Sequence, residues 1–365
     1  MLKCGQSIFY LLRQMEKRSH ATMARSETET DIVCYERWSH EKLDRIRSLI
    51  LPEELKRRLD DIHLEKGVER VKVRYSTGRG DSEGRVYGTI VYYSDWYKRE
   101  VAKNGKPYDY MATHSRDEEQ DGGASLQRMD RWIRRLLAHE YYHDYDIVNC
   151  APVLLQQIIA REGLGVPHEL VLYNTERDRL FDRYRGRIDL GVVKKAFLKV
   201  LHMGGEDRKI EETGRLKSAL RKTLLQLSQR SDEFKALYTK CREEAESDSK
   251  KRKFAHLKDN ENAKVTNALG RFCAAVWQRE EHRVLMSMRE FFVTLGYPAQ
   301  YMTLCFDGIM IERRDTDATD VVDFDALSRH IESKTGFVVK IEEKSLKPTD
   351  NDMAIYEGRV VYEKK

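Results

Sequence analysis

From Val166 to about Tyr297 the sequence reads as helix with few breaks, and runs of strand periodicity lie on both sides of it. Ahead of it, HDYDIVNCAPVLLQQIIA (143–160) reads as a strand followed by a helix. Pro152 falls near the helix start, where a missing N–H costs nothing. Behind it come the apolar hairpin TLCFDGIMIE (303–312), the helix FDALSRHIESKTG, the strand FVVKIEE and a closing strand IYEGRVVYE. Strands supplied from both sides of an all-helical excursion predict an α+β core with a separate helical lobe. At 365 residues the chain can bury a full core, as one large domain or as two lobes.

The upstream residues fit this frame. Residues 35–66 show helical spacing interrupted by Pro52, which predicts two short helices. VKVRYS and GRVYGTIVYYS alternate like strands on either side of the turn-rich TGRGDSEG, and NGKPYDYMATHSRDEEQDGG reads as loop. SLQRMDRWIRRLLAHEYY is helical, with Leu126, Met129, Ile133 and Leu136 on one face and Arg128, Arg131 and Arg135 on another. The boundaries give an N-terminal extension (1–33), a small helical segment (34–80), a first part of the sheet domain (81–160), the helical insert (161–297) and a second part of the sheet domain (298–365).

Composition excludes a few classes. No apolar run approaches the ~20 residues of a membrane span, and the six cysteines show no Cys-x-x-Cys spacing, which argues for a reducing, intracellular setting. A net charge of +5 is a mild basic excess, compatible with a polyanion partner without requiring one. The first acidic residue is Glu16, and basic residues mix with Ile8, Phe9, Leu11 and Leu12. Transit peptides and ordinary amphipathic helices both look like this, so nucleus, cytoplasm and mitochondrion stay open.

Chemistry concentrates on aspartates. Asp146 ends the predicted strand before the helix, with Asp144 on the same face by period-two geometry. Asp307 stands at the hairpin tip in an Asp-Gly pair. Singly, Asp307 reads as a turn residue and Asp146 as a helix cap. On adjacent strands, two carboxylates raise each other's pKa and both ionise around Mg²⁺. In-line phosphoryl transfer uses such a site with two metal ions ~3.5–4 Å apart.

The order of the motifs extends this reading. GRVY (84–87), SLQ (125–127), RWIRRLL (131–137) and DYDIVNCAP (144–152) resemble, in that order, the Gly-Arg, Leu-Gln, Ile-Arg and Asp-Tyr-Ser-Gln-Ile-Glu motifs of family A DNA polymerases. DIVNCAPVLL is also similar to the family B motif Asp-x-x-Ser-Leu-Tyr-Pro-Ser-Ile, with Asp146, Asn149 and Pro152 in register, which favours Asp146 over Asp144 as the ligand. MTLCFDGIMIE resembles the family A Val-His-Asp-Glu strand-turn-strand. Lys195 and Gly204 keep the lysine-to-glycine spacing of that family's nucleotide-binding fingers helix. These motifs cover about a third of the chain. Departures are Gly308 for the second acid, Phe306 for the histidine, Met203 for the tyrosine and Lys199 for an aromatic.

The resemblance implies a compact polymerase of the kind found in mobile elements or large viruses, with a palm sheet interrupted by a helical, fingers-like insert. It implies that Asp146 and Asp307 hold two Mg²⁺ ions, and that Lys195 and Lys194 meet the triphosphate beside Asn149 and Ala151. Arg85, Gln127, Arg128, Arg131, Arg134 and Arg135 would face primer–template nucleic acid. Lys344 would be placed to protonate the leaving group. Partners would be primer–template and nucleoside triphosphates, with an accessory replication protein in place of the absent thumb. A non-catalytic nucleic-acid-binding protein on the same scaffold, favoured by Gly308, and a metal-dependent nuclease are the competing classes. Ala151 stands where these polymerases carry a bulky residue that rejects a ribose 2′-hydroxyl. Single-nucleotide extension should therefore proceed with GTP at a rate comparable to dGTP; a strong preference for dGTP would remove this expectation.

Overall fold

The computed structural model describes residues 32–60, 70–77, 92–93, 113–114, 125–255, 267–305, 307–314 and 322–362. The N-terminal extension up to residue 31 and Arg85 lie outside them. In chain order the elements begin β1 (Ile32–Arg37), α1 (His40–Arg47), α2 (Glu53–Asp60), β2 (Arg70–Thr77), β3 (Tyr92–Tyr93), β4 (Thr113–His114), α3 (Arg131–Ala138) and β5 (Tyr142–Ile147). Helices follow as α4 (Cys150–Arg161), α5 (His168–Thr175), α6 (Arg177–Asp182), α7 (Leu190–Leu201), α8 (Glu211–Leu227), α9 (Asp232–Ala255) and α10 (Ala268–Thr294). The chain then forms β6 (Met302–Cys305), β7 (Gly308–Glu312), α11 (Phe324–Thr335), β8 (Ile341–Lys344) and α12 (Asp350–Tyr356). The fold is α+β.

The described residues form two compact units, one of those up to 146, within 288–323 and from 342 on, the other of those within 147–287 and 324–341. The first holds the sheets. One is built on β2, with β1 antiparallel to it from Ile32 opposite Tyr75 to Arg37 opposite Arg70, and β3 and β4 also paired with β2. The other runs β6-β7-β5-β8. Strands β6 and β7 are buried throughout, which is why MTLC and GIMIE carry apolar residues at successive positions rather than in alternation. Helix α3 buries Trp132, Ile133, Leu136, Leu137 and Ala138, a helical stripe.

The second unit is mainly helical. Tyr173, Phe181 and Phe197 form its aromatic cluster, with ring centroids 5.0 Å apart for Tyr173–Phe197 and 6.0 Å for Phe181–Phe197. Helix α7 stops at Met203, whose φ is 55°, and the Gly204 N–H bonds the Lys199 carbonyl at 2.8 Å. A Cβ on Gly204 would lie 2.8 Å from that same oxygen, so glycine is required by the close turn.

Three expectations need correction. Within 34–80 the strand read at VKVRYS is present as β2, but most of β1 also falls there and was not expected. Strand β1 was hidden by its buried polar residue: Cys34, Glu36 and Trp38 alternate inward, and Glu36 accepts from Trp38 Nε1 (3.1 Å) and from the Leu126 N–H (2.8 Å). The expected helix from Ser125 is split, since Met129 is extended and α3 starts only at Arg131. The expected closing strand IYEGRVVYE is instead the end of α12 followed by turn. Local capping won over β-branched propensity: Thr349 and Asp352 form a reciprocal capping box at the start of α12.

Asp352 also ties that helix to α3 through an ion pair with Arg135 at 2.9 Å. Burial alone would raise its carboxyl, but the Thr349 N–H and hydroxyl and the Arg135 guanidinium outweigh it and hold Asp352 below the usual carboxylate range. A depressed folded pKa stabilises above the unfolded value and is lost as pH falls through the folded one. Asp352→Asn should cost about 1–3 kcal/mol at neutral pH. The gap between variant and wild type should close as denaturant melts are taken below pH ~4; a gap independent of pH would contradict this.

Candidate active site

Antiparallel register fixes what shares a face in the β6-β7-β5-β8 sheet. Asp144 pairs with Met310 and Asp146 with Gly308, while Thr303 pairs with Met310 and Cys305 with Gly308. Asp144, Asp146, Gly308, Met310, Thr303 and Cys305 therefore point to one side. On the other side Tyr145 stacks on Phe292 at 5.0 Å between centroids. The strand thus turns Tyr145 into one layer and its two acids into the other.

Gly308 is not the second residue of the turn. It is already the first residue of β7, paired with Cys305, and its φ lies outside the left-handed region. Its role is close approach. A Cβ there would sit 2.7 Å from the Tyr145 carbonyl oxygen and 2.9 Å from Asp146 Oδ1, nearer than real Cβ atoms come. The space that a second acid's side chain would need is filled by Asp146 itself.

Asp307, immediately before Gly308, is half-buried. Burial, then the charge of Asp146 and a hydrogen bond between the two carboxyls, push Asp307 up to about 7, against the lowering effect of Lys344. Asp146 is 8% exposed and its Oδ2 accepts a hydrogen bond from the Lys344 ammonium. Asp144 is 9% exposed. Burial raises its pKa, Arg134 opposes that, and the Asp146 charge adds to it. Three carboxylates and one ammonium therefore converge on one face. Period-two spacing identifies Asp144, and the resemblance ranks it behind Asp146. The resemblance also implies a leaving-group role for Lys344, which here bonds the Asp146 carboxylate.

The arginines divide. Arg134 points Nη1 at Cys305 Sγ (3.9 Å), and its charge acts on Asp144, so it belongs to this site. Arg131 is exposed beside it and its charge also acts on Asp144. Arg135 is committed to Asp352, so it is not a free nucleic-acid contact. The side chain of Arg128 lies outside the described residues. Gln127 corrects the expectation of a nucleic-acid contact: it is 4% exposed, and neither side-chain amide atom is hydrogen-bonded among the described residues. Helical spacing placed it wrongly because the chain there is a 3-10 turn rather than a continuous helix.

Lys194, Lys195, Asn149 and Ala151 belong to the second unit. Lys194 and Lys195 are exposed on α7, and Ala151 is in the first turn of α4. Asn149 holds a left-handed φ of 53° before α4, and its side-chain oxygen accepts from Arg177. That bond gives Asn149 a local structural task in the strand-to-helix turn. The five described cysteines are buried and none is disulfide-bonded to another of them, and among the described residues no helix is long and apolar enough to cross a membrane.

No protein-family model matches the chain. It is similar to the protein named "Putative helicase V13" of Sputnik virophage, 25% identical over 227 residues, which cover 61% of this chain and 27% of the virophage protein. The chain therefore matches only about a quarter of that protein's length.

The electrostatics give a direct check. In metal-free protein, Asp307 should titrate near 7 by carboxyl-carbon NMR. Over the range between the ordinary carboxylate value and that midpoint, the folded state keeps a proton the unfolded chain has lost, so stability falls as pH rises. Asp146→Asn should lower the midpoint, with burial still holding it above the ordinary range. A wild-type midpoint near ~4 would contradict the coupling.

Proposed function

We propose that this chain is a template-directed nucleotidyltransferase that extends a primer, with Asp146 and Asp307 as the ligands of Mg²⁺. The observation that carries this reading is the pair itself: Asp146 at the end of β5 and Asp307 in the turn directly before β7, where burial and the Asp146 charge raise the Asp307 carboxyl to about 7. A site built this way favours a cation. The two proposed ligands are carboxylates, whose hard oxygen donors suit Mg²⁺ better than Zn²⁺. When bound, two such ions supply activation of the primer 3′-hydroxyl and neutralise charge on the α-phosphate and the departing pyrophosphate.

The chain's own groups are assigned the remaining work. The exposed lysines of α7, Lys194 and Lys195, would act as point charges for the β- and γ-phosphates. Arg131 and Arg134 would meet the primer–template backbone, a contact that positions without reading sequence. Ala151 would leave the ribose 2′-hydroxyl unopposed. An accessory replication protein would hold the duplex.

Similarity to the virophage protein supports an enzyme of viral type that acts on nucleic acid. It does not favour a helicase motor in this chain, because the sequence contains no Gly-x-x-x-x-Gly-Lys-Ser/Thr phosphate loop. Asp144 favours a second reading, a metal-dependent nuclease, by adding a third acid to the face that holds Asp146.

Primer extension on a primed template with Mg²⁺ separates these readings. Wild type should lengthen the primer, and Asp146→Asn and Asp307→Asn should each fall to the level of the enzyme-free control. Shortening of the primer would instead establish the nuclease. Intact duplex binding with neither outcome would establish a non-catalytic scaffold.

A further inference from the structure

The cation already inside the site belongs to the chain. Lys344 ends β8, which lies beside β5, and its ammonium bonds Asp146 Oδ2. Its charge also acts on Asp144 and Asp307. The two partners differ in exposure: the Lys344 side chain is 37% exposed and that of Asp146 only 12%. A half-exposed lysine on a flexible stem therefore reaches in to cover a buried acid. It pulls little of its own stem out of water to do so. Asp146 has no second ammonium or guanidinium in hydrogen-bond contact among the described residues, so this bond is what offsets its burial.

We propose that Lys344 is a resident counter-cation that has to leave Asp146 before a divalent ion can be shared by Asp146 and Asp307. The inference rests on the two-carboxylate reading above and adds a competition to it. Without a divalent ion, the Lys344 ammonium occupies Asp146 Oδ2. With the ion, the same oxygen of Asp146 cannot serve both cations at full strength, and the lysine swings into solvent. Metal binding is then set by an exchange of cations rather than by attraction to an empty acidic pocket. The site would fill only at the divalent concentrations that outcompete a tethered ammonium.

Two measurements on the metal-bound equilibrium, neither needing activity, test this. The first is Mn²⁺ binding to the full chain, without nucleic acid or nucleotide, followed by the electron paramagnetic resonance of free Mn²⁺. Lys344→Met should bind about ten-fold more tightly or better, the size a single charge-assisted hydrogen bond commands. Binding unchanged within two-fold, or weaker, overturns the proposal. The second uses wild type alone, so it stands even if the variant folds poorly. The Lys344 ammonium, protected by its bond to Asp146, should give an observable ¹⁵N–H signal in metal-free protein that disappears on adding Mg²⁺. A signal that persists at saturating Mg²⁺ overturns the exchange while leaving the carboxylate site standing. If Mn²⁺ binds neither protein, the two-carboxylate reading fails and this one with it.

Discussion

The structure depends most on how closely β5 and β7 approach at Asp146 and Gly308. A glycine on one strand lets the acid on the other lie over it, 2.9 Å from where a Cβ would be. That approach sets Asp307, the residue before the glycine, close enough to Asp146 for the Asp146 charge to raise its carboxyl. Any side chain at 308 would push one acid away from the other or part the strands. The glycine thus lets the two acids lie closer together. Around the pair, the flanking strands are buried and the acids' neighbours are a protonated thiol, an arginine and a lysine. Charge is concentrated where the backbone is held most firmly by the sheet.

Much of this was legible in the sequence, for reasons that can be named. The α+β class followed from strand periods on both sides of a helical stretch. Asp146 was readable because a strand gives way to a proline-marked helix directly after it. Asp307 was readable because it interrupts an otherwise apolar run. Each of these signals is local and survives folding unchanged. Even so, the apolar hairpin suggested an Asp-Gly turn, whereas the glycine works across the sheet. Turn propensity describes one strand and cannot express a contact with another.

What stayed hidden involved partners distant in sequence. Glu36 concealed β1, because a buried acid that accepts from Trp38 and Leu126 looks like an exposed residue on paper. Arg135 looked like one of a row of basic side chains, yet Asp352 claims it from 217 residues away. Lys344 is 198 residues from the carboxylate it covers. The short closing helix was missed because a capping box of two polar residues outweighed the valines that follow. In each case a polar residue's role was set by a pairing that no spacing rule reaches.

The account's central claim is that Asp146 and Asp307 together form a divalent-cation site. Crystals soaked in MnCl₂ and measured at an energy where manganese scatters anomalously test it most directly. The account predicts an anomalous peak about 2.1 Å from carboxylate oxygens of both aspartates, absent in Asp307→Asn. Manganese peaks elsewhere, with none shared by these two residues, would contradict it.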